Sequence, residues 1–151
     1  MQCVIGIGNE ILADDGVGIY IIDQLLGLLK SDNVRLVKLE SGGIDIISYL
    51  LKNSPVWIID ASSFGIPPGT IGRYTFDNLP LHHKIQISCH SSNLNEVIRM
   101  GYTLYPNEMP ELINFILVEG FKFTKYNIGL SKPVLAAADE VINQFLELFK
   151  S

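Results

Sequence analysis

Apolar positions along the chain follow two rhythms that alternate. Cys3–Ile7 is a short apolar run closing on Gly6-Ile7-Gly8-Asn9, and it predicts a first strand with its turn. From about Asp15 to Lys30, Val17, Ile21, Ile22, Leu25, Leu28 and Leu29 recur at three- and four-residue spacing, so a helix follows. Asp14 and Asp15 stand where N-cap and first-turn acids of that helix belong. Val34–Leu39 alternates as a second strand, Ser41-Gly42-Gly43 breaks it, and Ile44–Lys52 reads as a short helix. Val56-Trp57-Ile58-Ile59 is continuously apolar, as expected of a central parallel strand buried on both faces, and the run stops at Asp60.

Beyond it, Ser62–Thr70 carries the Gly, Pro and Ser of a loop, and Ile71–Phe76 reads as an extra edge strand. Ile85–Cys89 is a further strand. Asn93 opens a helix with Glu96 placed as its reciprocal capping partner. Leu112–Val118 is the last strand, and Ser131 with Pro133 starts a final helix striped by Leu135, Ala138, Val141, Ile142, Phe145 and Phe149. Strands alternating with helices predict an α/β fold with a mostly parallel sheet covered on both faces. No repeat or linker divides the chain, so residues 1–151 read as one domain.

Composition narrows the partners. The 11 Lys and Arg are scattered among 16 Asp and Glu, with no basic cluster of the kind phosphate binding needs, so nucleic acid is not expected. The mean hydropathy is positive, +0.29, yet no stretch approaches the ~20 apolar residues of a bilayer span. The N-terminal residues lack the basic region and cleavage site of a signal peptide. Cys3 and Cys89 stand far apart and outside any CxxC pattern, which favours packed core thiols in a reducing cytoplasm over a disulfide scaffold. Without long heptads or an apolar tail, the expected state is a monomer.

Three polar positions share a structural address. Asp14 or Asp15 follows the first strand, Asp60 ends the central one, and His90 ends the strand beginning at Ile85. The carboxyl ends of parallel strands line one crevice, where ligands bind. Two carboxylates and an imidazole suit a borderline divalent ion such as zinc or nickel, with positions left open for water or substrate. Each residue has a structural alternative: either aspartate can serve as a helix cap, and His90 can cap the helix that follows it. The pattern does not separate Asp14 from Asp15. His82 and His83 read as surface residues. Gly6-Ile7-Gly8 lacks the third glycine of a dinucleotide fingerprint, because Ile11 occupies its place, and no G-x-S-x-G, Walker or HExxH motif occurs.

Gly6-Ile7-Gly8-Asn9-Glu10-Ile11-Leu12-Ala13-Asp14-Asp15-Gly16-Val17-Gly18 closely resembles the N-terminal signature of the hydrogenase maturation peptidases. Ser41-Gly42-Gly43 resembles the family's glycine-pair loop and Ile58-Ile59-Asp60-Ala61 its strand-ending aspartate. Ser88-Cys89-His90 is similar to its Ser-x-His segment, and Ile128-Gly129-Leu130-Ser131 to its closing Gly-Leu-Ser element. The resemblance implies a three-layer α/β/α domain with a twisted, mostly parallel five-stranded sheet of the phosphorylase/hydrolase-like kind. It implies a metal site of Asp15, Asp60 and His90, with Asp15 and Asp60 as catalytic candidates and Asn9, Gly42 and Gly43 as substrate-loop candidates.

The implied activity is that of an endopeptidase, aspartic-type or metal-assisted. It removes the C-terminal extension of a [NiFe]-hydrogenase large-subunit precursor after nickel insertion and recognises the substrate's nickel, with zinc or cadmium able to substitute. The alternatives are a non-proteolytic nickel-binding accessory protein and a zinc metallohydrolase of unrelated substrate. Two segments depart from the family pattern. Ile44-Asp45-Ile46 stands where Thr-x-Gly usually follows the glycine pair, and Val118-Glu119-Gly120-Phe121 replaces a Gly-hydrophobic-Glu-Pro-like turn. Both bear on which precursor is recognised.

Overall fold

The computed structural model describes residues 1–80, 93–123 and 128–150. Its five strands are β1 (Gln2–Ile7), β2 (Val34–Leu39), β3 (Val56–Ser62), β4 (Ile71–Thr75) and β5 (Ile113–Glu119). They form one sheet in the order β2-β1-β3-β5-β4, parallel except for β4, which runs antiparallel to β5. The two central strands, β3 and β5, are apolar runs buried along almost their whole length. The antiparallel β4 is the partly exposed edge expected at Ile71–Phe76. A strand over 85–89 lies outside the described residues.

Period-two alternation sorts the core into two layers. Cys3, Ile5, Ile7, Ile58, Phe115 and Leu117 face α2 (Ile46–Leu50) and α3 (Leu94–Leu104). Val4, Ile59, Ala61, Ile116 and Val118 face α1 (Val17–Leu28) and α4 (Lys132–Leu148). The result is the α/β/α sandwich that the sequence predicts. Trp57 closes its α4 side, meeting Phe145 and Phe149 edge-on at centroid distances of 5.9 and 5.5 Å.

Element ends differ from the sequence reading in two informative places. The helix expected from Asp15 begins at Val17, because Ala13–Gly16 winds instead as a 3-10 turn. β3 does not stop at Asp60 but runs on to Ser62, since its backbone continues to pair with β5 as far as Ser62 opposite Glu119. Asp60 is thus a strand residue, opposite Leu117. At α3, Asn93 Oδ1 accepts from the Asn95 N–H at 2.9 Å, and at α4 Pro133 stands in the first turn.

Candidate functional site

The carboxyl ends of β1, β2, β3 and β5 lie at one edge of the sheet, and glycines let the chain pack tightly there. A Cβ on Gly18 would lie 2.5 Å from the Ile7 carbonyl oxygen and 2.6 Å from that of Ile59. One on Gly6 would collide with Gly18, and one on Gly8 with the Asp15 carbonyl. The start of α1 therefore rests on β1 and β3 with only backbone between them. This contact sets the 3-10 turn, which bears Asp15, against β3, which bears Asp60.

Both carboxylates are buried, Asp15 at 5% exposure and Asp60 at 2%. Asp15 Oδ2 accepts the Asn9 N–H at 3.0 Å, and Asp60 Oδ1 accepts the Ala61 N–H at 2.8 Å. By strand alternation Asp60 points to the face of Ile58, the layer in which α3 begins. Among the described residues, no three of His, Cys, Asp and Glu cluster as a complete metal-binding group. His90 lies outside the described residues, as do His82, His83 and Cys89.

Asp14 corrects the sequence reading most sharply. It caps neither the 3-10 turn nor α1. Its side chain is fully buried and turns toward the other end of the chain: Oδ2 accepts from the Phe121 N–H, the Lys122 N–H and the Ser131 hydroxyl, each at 2.8 Å. Oδ1 accepts the Ser131 N–H at 2.7 Å. Ser131 is the N-cap residue of α4, yet its hydroxyl bonds Asp14 and makes no cap. Asp14 is thus a carboxylate at a helix N-terminus, as sequence suggested, but the helix is α4 and not the one that follows it. Ala13 beside it holds a left-handed φ of 52°, a strained setting for a residue with a Cβ.

Sequence reasoning missed Glu119 as a buried acid. It is 2% exposed at the end of β5, where Oε1 accepts the Ser62 hydroxyl and the Phe64 N–H, and Oε2 accepts the Gly65 N–H, all at 2.9 Å. The signal that found Asp60, an acid closing an apolar run, is equally present in Ile116-Leu117-Val118-Glu119.

The loop candidates border the same edge. Asn9 gives its N–H to Asp15, takes the Ile11 N–H at 3.2 Å on its side chain, and lines a cavity of about 400 Å³ with Glu10, Lys38, Glu40 and Ile128. Gly42 packs where a Cβ would meet Leu94 of α3 at 3.1 Å and Ile7 at 3.6 Å, so its smallness seats the loop on the sheet. Gly43 accepts the Ile46 N–H at 3.0 Å and starts α2. No helix among the described residues is long and apolar enough to cross a membrane.

The α/β/α fold with buried acids at its carboxyl edge does not by itself fix the chemistry, and comparison with known proteins supplies the class. Residues 19–148 match the family model described as hydrogenase maturation protease. The chain therefore belongs to the hydrogenase maturation protease family, whose members are peptidases. It is 32% identical over 111 residues to a hydrogenase expression/formation protein of Thiocapsa roseopersicina, an alignment covering 70% of this chain and 50% of that one. A hydrogenase expression/formation protein of Cupriavidus necator is 26% identical across 99% of this chain and 74% of its own. The fold superposes on the hydrogenase maturating endopeptidase HybD of E. coli with a TM-score of 0.78, over 99% of this chain and 91% of that one, at 22% identity.

Proposed function

We propose that this protein is the endopeptidase that removes the C-terminal extension of a [NiFe]-hydrogenase large-subunit precursor after nickel insertion. The observation that supports the reading is membership of this peptidase family together with two buried acids, Asp15 on the turn that packs against β3 and Asp60 on β3 itself. In this reading Asp15, Asp60 and His90 contact the nickel that the precursor brings, so the metal belongs to the substrate. The partner is one precursor molecule, met by a monomeric enzyme in the cytoplasm.

The physical reason is charge compensation. Two carboxylates at one crevice offer a divalent ion charge compensation. A precursor without nickel would present an empty site to two like charges, and binding would suffer. A nickel ion already held by substrate cysteines leaves coordination positions that carboxylate and imidazole suit. The scissile peptide bond beside it would then lie within reach of a water polarised by the metal or activated by an aspartate.

The test uses enzyme stripped of metal and measures tail release by mass spectrometry from nickel-loaded and nickel-free precursor. Cleavage of the loaded form alone is expected, and Asp60→Ala should abolish it. Efficient cleavage of the nickel-free form would defeat nickel recognition. Binding of precursor with no change in its length would replace the peptidase by an accessory protein.

A further inference from the structure

We infer that Asp14 is a positioning residue for the reaction: it fastens the chain around Phe121, Lys122 and Ser131 to the turn that carries Asp15, and so fixes where Asp15 stands. The inference rests on the peptidase reading above and assigns a role to a residue outside the proposed metal site.

Three features of Asp14 point the same way. Its carboxylate takes four hydrogen bonds between 2.7 and 2.8 Å, and all four donors come from residues more than 100 positions away in the chain. Its own N–H donates to the Lys122 carbonyl at 2.9 Å, so backbone and side chain grip the same bend. It lies between Ala13, held at a left-handed φ of 52°, and Asp15, whose carboxylate takes the Asn9 N–H. A turn with a strained residue keeps its shape only when its surroundings hold it. Asp14 supplies that hold. One residue further on, any relaxation of the turn becomes a displacement of Asp15.

The bond pattern also explains why an aspartate is needed. Three donors converge on Oδ2 and one on Oδ1, so both oxygens must accept. An asparagine of the same shape has a single accepting oxygen, and in either orientation its amino group would face at least one N–H. A glutamate is one methylene too long for a site with no exposure. The four donors are uncharged, three backbone amides and one hydroxyl, all oriented at the anion.

The experiment measures kcat and KM for release of the precursor tail by Asp14→Asn, Ser131→Ala and Ser131→Thr, each compared with wild type and confirmed folded by circular dichroism. A small misplacement of a reacting group costs on the order of 10²-fold in rate. Asp14→Asn should therefore lose kcat by roughly that factor with KM changed less than about threefold. Ser131→Ala deletes only the hydroxyl donor and should lose kcat by about three- to tenfold, and Ser131→Thr, which keeps the hydroxyl, should restore it. In parallel, the amide proton of Asn9, bonded to Asp15, is followed by NMR. Its resonance should move in Ser131→Ala and return in Ser131→Thr.

Wild-type kcat in Asp14→Asn overturns the inference. Should Asp14→Asn not fold, an unchanged kcat and an unmoved Asn9 resonance in Ser131→Ala overturn it equally. If wild-type protein releases no tail, the peptidase reading fails, and the Asn9 resonance alone still decides the role of Asp14.

Discussion

Two loops border the crevice, and each is held by a buried acid from elsewhere in the fold. The segment after β5 is held by Asp14, and the start of the loop after β3 is held by Glu119. Glu119 reaches across to the neighbouring strand and takes three donors within Ser62–Gly65. Asp14 takes four donors from two separate segments, 121–122 and 131, and ties them to a turn near the other end of the chain. One acid closes a short loop onto its own sheet, whereas the other joins α4 to the first connection of the fold. The comparison teaches that an acid buried at a strand end is not by itself a sign of chemistry. Asp14 and Glu119 are anchors because of the donors that the fold aims at them from distant segments.

The contrast predicts a hierarchy of effects on urea unfolding. Asp14→Ala should be the most severe, at least about 3 kcal/mol, because it strands three backbone N–H groups and a hydroxyl in a site with no exposure. A loss near 1 kcal/mol would return Asp14 to the role of an ordinary cap. Gly18→Ala should follow at about 2–3 kcal/mol, since its Cβ would meet two backbone carbonyls at 2.5 and 2.6 Å that cannot move aside like a side chain. It should also impair tail release, as it forces the turn of Asp15 off β3. A Gly18→Ala protein with wild-type stability and rate would show that the close approach is dispensable.

Glu119→Ala should cost about 2 kcal/mol, less than Asp14→Ala, because fewer donors lose their acceptor and one short loop is freed. Hydrogen exchange should then rise at Phe64 and Gly65 while Phe121 and Lys122 stay protected. Equal loss of protection at both loops would show the two anchors to be one cooperative unit.

The smallest effect concerns Cys3, a buried group that anchors no loop. Burial pushes its thiol up from 9.0 to about 11. A raised acid pKa means that the folded chain keeps its proton where the unfolded chain has lost it. The associated stability is full below pH 9 and declines as pH rises from about 9 to about 11. Wild type should lose stability over that range more steeply than Cys3→Ala, and native Cys3 should react slowly with alkylating agents. Parallel slopes for the two proteins would refute the burial effect.

By itself the sequence determined the elements and their layering. Alternation in β2, the unbroken apolar runs of β3 and β5, and the three-four spacing of α1 and α4 are local patterns that burial on one or two faces requires, so each strand and helix is legible without its neighbours. The sequence also pointed to the family, because a long glycine- and aspartate-bearing segment is written in consecutive residues, Gly6 to Gly18. Residue pattern alone left Asp14 and Asp15 unseparated, the family resemblance pointed to Asp15, and Glu119 went unremarked as a buried acid. Adjacent acids in one turn have the same local pattern, and so do acids closing two apolar runs. Only the tertiary structure shows what Asp14 and Glu119 hold, since the donors to Asp14 come from residues 121, 122 and 131 and those to Glu119 from residues 62, 64 and 65. A carboxylate's role is set by the charge and hydrogen bonds around it, and here those arrive from segments that only folding brings near.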